Sequence, residues 1–395
     1  MSVVNSYVDI AELRFEIFDP FVNINFTEDV WLKISKKCSH NYFTSWGWIS
    51  TWLFSLPAKN NIQLIVGYLD DKVVVAFFVG RKRGFRYGFL PSKTYSLNST
   101  GDSHFDQLFI EYNSILMVSD LSIKITDLLK PIGGWDEFIL QGVSPDFVSS
   151  MGLLKGDWHD FYTILDKTES SYYVDLQKIR DLDMDFLSLL SSNRRSQIRR
   201  SIKQYELEGK ILIREAGSQA DALLMFDDLV SLHQREWKRR NRPGAFSDQY
   251  FYGFHRDIIQ NRFENGEIQL LQVYNEKSSI GYLYNFVYEG NVLFYQSGFN
   301  YAEENVYRPG LVSHYFGILH NTEKGYSLYD FLAGESQYKA SLSTNTMSMY
   351  WIRLIRSKDR YWFENQLLEG KRKLASMPEI FERLKRFKYW LEEKR

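Results

Sequence analysis

Residues 267–300 constrain this chain more than any other segment. Three strand-length stretches, 267–274, 279–288 and 292–300, are rich in β-branched and aromatic residues, which suit a pleated, half-buried surface. Turns at Glu276-Lys277 and Glu289-Gly290-Asn291 join them, with no more than four residues between strands. Parallel pairing needs a crossover of about a dozen residues or more, so these strands must pair antiparallel. The third strand leads through a loop into Tyr307-Arg308-Pro309-Gly310-Leu311. Proline ahead of an apolar run predicts a helix start there, reaching to Lys324. A helix start offers unpaired N–H groups and a positive dipole end, and Gly310 presents no Cβ to an approaching anion. Read as capping grammar alone, the same residues simply open a helix.

The flanking pattern completes a unit. Residues 185–208 read as a helix closed by Gly209, and 210–215 as a short strand. A long helix over 218–240 carries Leu223, Phe226, Leu229, Val230, His233 and Trp237 on one face. A further helix follows the N-cap Ser247. Downstream come a strand at 328–332, a short helix near Tyr338 and a strand at 348–355. The first half gives a blurred version of this order. It has helices between residues 29 and 56, strands at 62–69, 72–80 and 85–90, a loop at 92–103, and helices at 105–112 and 121–128. A strand at 137–140 ends it, with 161–165 beside it. The expectation is an α+β chain of two tandem lobes, each a mainly antiparallel twisted sheet flanked by helices. The lobes span 1–170 and 171–358, and a tail spans 359–395. Ile380, Phe381, Leu384, Phe387, Trp390 and Leu391 make that tail a basic amphipathic helix. Such a helix packs on the body or docks on a membrane surface or partner.

Composition narrows the function classes. Lys plus Arg number 48 against 49 Asp plus Glu, a net charge of -1, so nothing draws the whole chain to DNA or an anionic membrane. The single cysteine, Cys38, rules out an internal disulfide and a cysteine-based zinc site, and suits a reducing compartment. The seven histidines lack paired ligand spacing, so no metal is expected. A nucleophile elbow, a Walker loop and a dinucleotide glycine fingerprint are all missing. The start of the chain carries Asp9, Glu12, Glu16 and Asp19 where an export signal would be basic and then apolar. The apolar runs are strand-length, far short of the roughly 20 residues a bilayer span needs. A cytoplasmic protein is expected. Two basic runs stand out against the balanced charge: Arg194, Arg195, Arg199 and Arg200, then Arg235, Lys238, Arg239, Arg240 and Arg242. They suit a phosphorylated ligand, an RNA backbone or plain solvent exposure. Aromatic residues reach 16% of the chain. Most fit sheet and helix packing, and those between the lobes could line a groove that stacks on a sugar.

Five motifs occur in one order. They are His233-Gln234-x-x-Trp237, Gly244-Ala245-Phe246, Tyr295-Gln296-Ser297-Gly298-Phe299, Arg308-Pro309-Gly310-Leu311, and Asp330-Phe331-Leu332-Ala333-Gly334-Glu335-x-x-Tyr338-Lys339. Together they resemble the GNAT-superfamily acetyltransferase domain of bacterial cellulose and exopolysaccharide biosynthesis proteins. The Arg195-x-x-x-Arg199-Arg200 helix and the segment from Trp46 to Trp52 are similar to that group as well. The family is related in fold to the Fem-type peptidyltransferases, which pair two such lobes and use aminoacyl-tRNA.

The resemblance implies two GNAT-like lobes and an acyl-CoA-dependent N-acyltransferase, with acetyl-CoA or another acyl-CoA as co-substrate and an amino sugar or similar amine as acceptor. By this likeness Gln296, Ser297, Gly298 and Phe299 would hold the pantetheine arm. Arg308, Pro309, Gly310 and Leu311 would cradle the pyrophosphate, although this loop offers one glycine where the family usually has more. Acyl transfer to an amine needs a base for the acceptor and an acid for the leaving thiolate. Asp330, Glu335 or His233 would serve as base, and Tyr338 or Lys339 as acid or oxyanion partner. His233 is equally a core histidine, and Asp330 equally a turn brace. Trp237, Arg199 and Tyr295 would contact substrate. Two other readings stay open. One is a Fem-like aminoacyl or peptidyl transferase that takes its donor from tRNA. The other is a catalytically silent binding protein associated peripherally with envelope machinery.

Overall fold

The computed structural model describes residues 13–57, 60–86, 89–119, 121, 123–153, 161–304 and 306–375. The first half comprises β1 (Arg14–Phe18), α1 (Ile24–Ser35), α2 (Trp46–Ser55), β2 (Ile62–Leu69), β3 (Lys72–Arg86), β4 (Leu90–Leu97), β5 (Leu116–Met117), α3 (Ile125–Leu129), β6 (Glu137–Val143) and α4 (Pro145–Ser150). Then follow β7 (Tyr162–Asp175), α5 (Leu176–Arg180), α6 (Ser192–Glu206), β8 (Leu212–Glu215), α7 (Gln219–Arg239) and α8 (Gln249–Arg262). The chain continues with β9 (Ile268–Tyr274), β10 (Ser279–Tyr288), β11 (Asn291–Phe299), α9 (Pro309–Glu323), β12 (Leu328–Ala333), α10 (Gln337–Leu342), β13 (Asn345–Ile355) and α11 (Lys358–Ala375). Of the expected tail helix, residues 376–395 lie outside the described residues.

The strands form one sheet in the order β1-β2-β3-β4-β6-β13-β7-β12-β11-β10-β9-β8, with β5 on β3. Its two ends repeat one design, an antiparallel meander closed by a parallel strand. In the first lobe β4 pairs parallel with β6, and in the second β11 pairs parallel with β12. The centre is crossed over. The last strand of the first half, β7, lies beside β12, and the last strand of the chain, β13, lies beside β6. β7 and β13 then pair antiparallel from Asn345↔Tyr173 to Ile355↔Tyr162. This corrects the expectation that 161–165 pairs with the strand at 137–140: β13 sits between them. The tandem-lobe expectation holds, as one sheet built from two alike halves.

Local chemistry explains the meanders and two further corrections. Asp70 and Asp71 both take left-handed φ values, 48° and 57°. They turn β2 into β3 in the mirror-image geometry that matches strand twist, without the glycine such turns favour. β3 runs on to Arg86 and β4 begins at Leu90, so the strand expected at 85–90 falls on the ends of two strands, and residues 92–97, expected as loop, belong to β4. The helix expected at 105–112 is a single 3₁₀ turn at Phe105–Gln107. Beyond it the chain is irregular, with Tyr112 at φ 52°.

The aromatic excess is spent largely where the lobes meet. Tyr42, Phe43 and Trp48 are fully buried. Tyr42 stacks on Phe286 of β10 at 4.4 Å, and Trp48 meets Phe254 of α8 edge-on at 5.0 Å. Each such ring contributes about 1.5–3 kcal/mol of burial. First-lobe helices and second-lobe sheet therefore share one core. Arg86, Glu137, Arg360 and Glu364 tie α11 to β3 and β6.

Candidate active site

The site begins where β11 leaves β12. The two pair only from Asn291↔Leu328 to Leu293↔Asp330, while β11 stays paired with β10 to Phe299. From Phe294 onward β11 is therefore splayed, and its edge groups face the opening. A bulge marks the departure. Tyr284 faces Gln296 and Asn285 faces Phe294, which leaves Tyr295 as the extra residue, and bulges of this kind re-aim side chains beside active sites.

One cavity, of about 1040 Å³, lies along the splay. It is lined by Phe299, by Arg308, Pro309, Gly310 and Leu311 at the start of α9, and by Tyr338. Arg308 occupies the N-cap without a side-chain capping bond. The first turn is thus left open to a ligand. Ser201 of α6 fixes the approach, since its Oγ donates to Val306 O at 2.8 Å and accepts from Arg308 N at 2.8 Å. Arg194, Arg235, Lys238 and Arg239 line the same cavity, so both basic runs converge on it. Burial, together with the neighbouring Arg308 charge, depresses the Arg194 pKa. Arg194 and Arg308 thus present like charge to one cavity, which favours an anion there. Glu236, also on the wall, is occupied by Arg239 and Arg240 at 2.7 Å each.

His314 closes the inner end of this cavity. It is fully buried, approaches Tyr329 Oη with Nδ1 at 3.2 Å, and stacks on Tyr338 at 5.4 Å. Its Nε2 has no partner among the described residues. Burial first, then the Lys339 charge, pushes its pKa down to about 3, so the imidazole is neutral. Burial also raises the Tyr338 phenol, keeping it protonated.

A second cavity, of about 590 Å³, opens on the other side of α10, between the lobes. Phe294, Tyr295, Phe331 and Lys339 line it from the second lobe, and Lys82, Phe109, Glu111 and Gln141 from the first. Ala333 carries its central contacts. Its N–H donates to Glu111 Oε2 at 2.6 Å, and its carbonyl accepts from Lys339 Nζ at 2.7 Å. Burial raises the Glu111 pKa to about 7, against the Ala333 N–H and the Lys339 charge, which lower it. The Lys339 pKa is depressed, first by burial, with Glu111, Asp330 and Glu169 opposing.

The expected residues divide accordingly. Phe299, Arg308, Pro309, Gly310, Leu311 and Tyr338 line the first cavity, and Tyr295 and Lys339 the second. Gln296 and Ser297 sit on the splayed edge. Gly298 serves packing, since a Cβ there would meet Leu229 O of α7 at 2.2 Å. Asp330 lines neither cavity. It is buried and accepts from Tyr112 Oη at 2.5 Å, Ser171 Oγ at 3.1 Å and Leu332 N at 2.7 Å, which holds Leu332 at φ 61°. Glu335 and Arg199 are exposed outside both cavities. His233 is buried beside Phe246 and Trp237, its ring 5.0 Å from Phe246. Neither it nor Trp237 lines a cavity. Glu111 and His314 were not expected. Glu111's signal was a lone acid between Leu108-Phe109-Ile110 and Tyr112, obscured by reading the segment as a helix. His314 gave none, standing on an apolar helix run.

Residues 192–340 match the family described as "Acetyltransferase (GNAT) domain". Among solved structures the chain resembles FemX, at 11% identity and a TM-score of 0.53, with 90% of this chain and all of that one covered. Also similar are L-PGS from Bacillus licheniformis, at 9% identity, TM-score 0.49 and coverage of 86% and 94%, and a tandem GNAT protein from the clavulanic acid biosynthesis pathway, at 10% identity, TM-score 0.43 and coverage of 86% and 98%. No curated protein matches. Residues 192–340 are thus similar to a GNAT acetyltransferase domain, which supports an acyltransferase, and the chain as a whole shares the fold of FemX. Among the described residues no helix is long and apolar enough to cross a membrane.

Proposed function

We propose that the protein is an acyl-CoA-dependent N-acyltransferase, acting on an amino sugar or similar amine in bacterial surface-polysaccharide synthesis. The observation that carries this reading is the meeting of two unlike cavities at α10, a cationic one at a helix start and one containing a carboxyl poised near neutrality. In this reading the lobes are 1–170 and 171–358, with a tail at 359–395, and the boundary falls within the shared strand β7.

Acyl-CoA would supply an acyl carbon activated as a thioester. Arg194, Arg308 and the N–H groups of Gly310 and Leu311 hold the phosphates, and the free edge from Gln296 to Phe299 orients the pantetheine arm. The acceptor amine enters from the inter-lobe cavity. Glu111 takes its proton, which is efficient because a base titrating near the working pH balances availability against strength. Tyr338, protonated throughout, gives a proton to the departing thiolate. Lys339 holds the Ala333 carbonyl and so fixes the wall against which Glu111 is set. The sugar reading draws on Phe294, Tyr295 and Phe331, which offer ring faces in that cavity.

The test is thiol release from acetyl-CoA with a panel of amines, glucosamine among them, beside a thermal-shift titration. Acetyl-CoA at 100 times its Kd stabilises by about 2.7 kcal/mol. A clear shift and amine-dependent thiol release are expected. The absence of any shift at millimolar acetyl-CoA, with tRNA co-purifying instead, would replace this reading with aminoacyl transfer.

A further inference from the structure

A third cavity, of about 500 Å³, lies in the first lobe, where β3 runs past the end of β2. β2 accompanies β3 only to Gly80, so residues 81–86 have no strand on that side. Four cations stand there: Arg81, Lys82, Arg83 and Lys93. Tyr95 and Phe105 add aromatic surface, and Asp102 is the one acid on the wall. The Asp102 carboxylate is already engaged, accepting from His104 N at 3.0 Å. None of the four cations forms an ion pair with a described residue, and Arg81 Nε is buried without a hydrogen-bond partner. Four cations clustered in a concavity that holds a single carboxylate repel one another, and an anion with several oxygens relieves this, most of all through the forked donors of arginine.

The groove adjoins the inter-lobe cavity. Lys82 lines both, and the loop between them alternates, with Gly101, Ser103 and Asp106 on the cavity side and Thr100, Asp102 and Phe105 on the groove side. The geometry points to an acceptor that carries a phosphate or diphosphate group: Arg81, Arg83 and Lys93 hold the anion while Lys82 and the 100–106 loop lead the amine-bearing part toward Glu111. This rests on the acyltransferase reading for the amine, but the anion site stands apart from it. The first lobe then has a positive task. It selects the acceptor by its phosphate handle, while the second lobe holds the donor.

The experiment is calorimetric titration of inorganic pyrophosphate into the full chain carrying Arg194→Gln, Arg235→Gln, Lys238→Gln and Arg308→Gln, which remove the cations of the donor cavity other than the Glu236-paired Arg239, whether or not that cavity takes acyl-CoA. Binding is expected to persist there. Adding Arg83→Gln and Lys93→Gln, both at exposed positions, is expected to weaken it at least tenfold, and Arg81→Gln further still. No pyrophosphate binding, or binding indifferent to these three substitutions, overturns the proposal. A failure of acetyl-CoA to bind the unaltered protein would strike only the donor reading. Uridine diphosphate and geranyl diphosphate serve as parallel arms. Whichever binds more tightly than pyrophosphate, and loses that binding in the triple variant, identifies a nucleotide or a lipid as the bearer of the phosphate.

Discussion

Glu111 and Lys339 grip opposite polar groups of one residue: the carboxylate takes the Ala333 N–H at 2.6 Å and the ammonium holds the Ala333 carbonyl at 2.7 Å. One comes from the first lobe and the other from the second. The Glu111 carboxyl is therefore set only when the lobes are together, and the end of β12 is held as a fixed wall between the two cavities.

Glu111→Gln should lower kcat by about 10²–10⁴, the usual range for loss of a general base. It should also remove the acid limb of the rate profile. In the unaltered enzyme activity should rise with pH through about 7, where burial places this carboxyl. A pH profile of kcat/KM for both forms is the check.

The same residue should leave a mark on stability. Its pKa is raised from 4.5 to about 7 in the folded protein. Between those values the folded state keeps a proton that the unfolded chain has released, so this group's contribution to stability falls as pH rises through that window. Melting temperatures of Glu111→Gln across pH 4.5–7 should show a smaller decline than those of the unaltered protein.

What the sequence allowed to be read depended on how local each signal was. The meander from β9 to β11 and the start of α9 were legible because alternation, tight turns and Pro309 act over a few residues. The exchange of β7 and β13 was not, since strand partners distant in sequence leave no periodic trace. Glu111 was hidden for the same reason. Its chemistry arises from Ala333 and Lys339, more than 200 residues away, and its own segment holds no regular element. Asp330 was legible as a base or equally as a turn brace, and its three donors, with Leu332 in a left-handed turn, favour the brace.

That bracing predicts a purely structural phenotype. Asp330→Asn replaces a charged acceptor among Tyr112, Ser171 and the Leu332 N–H, and should cost about 1–3 kcal/mol of stability. Whatever activity remains should keep the acid limb, because Glu111 is untouched. Denaturant unfolding and a rate profile on one sample separate this from loss of a base.

Two glycines of the donor motifs should respond differently. A Cβ on Gly298 would meet Leu229 O at 2.2 Å, so Gly298→Ala forces α7 away from β11 and should destabilise by about 1–3 kcal/mol or more. A Cβ on Gly310 would meet only the Phe299 ring, at 3.1 Å. Gly310→Val should therefore leave the protein folded while pushing into the cavity that Gly310 and Phe299 share, with weakened acetyl-CoA binding in thermal-shift titrations.

Arg194 gives the sharpest contrast between stability and binding. It is held near Arg308, and both burial and that second charge disfavour its protonated form. Arg194→Gln removes that repulsion, which solvent partly screens, so the free protein should melt no lower than the unaltered one. The same change removes half of the anion clamp, and acetyl-CoA should bind more weakly, with a smaller loss of affinity on raising salt. A residue kept for packing would move both quantities in one direction. Weaker acetyl-CoA binding with no loss of melting temperature, read from melting curves with and without acetyl-CoA, marks a cation kept for a ligand rather than for the fold.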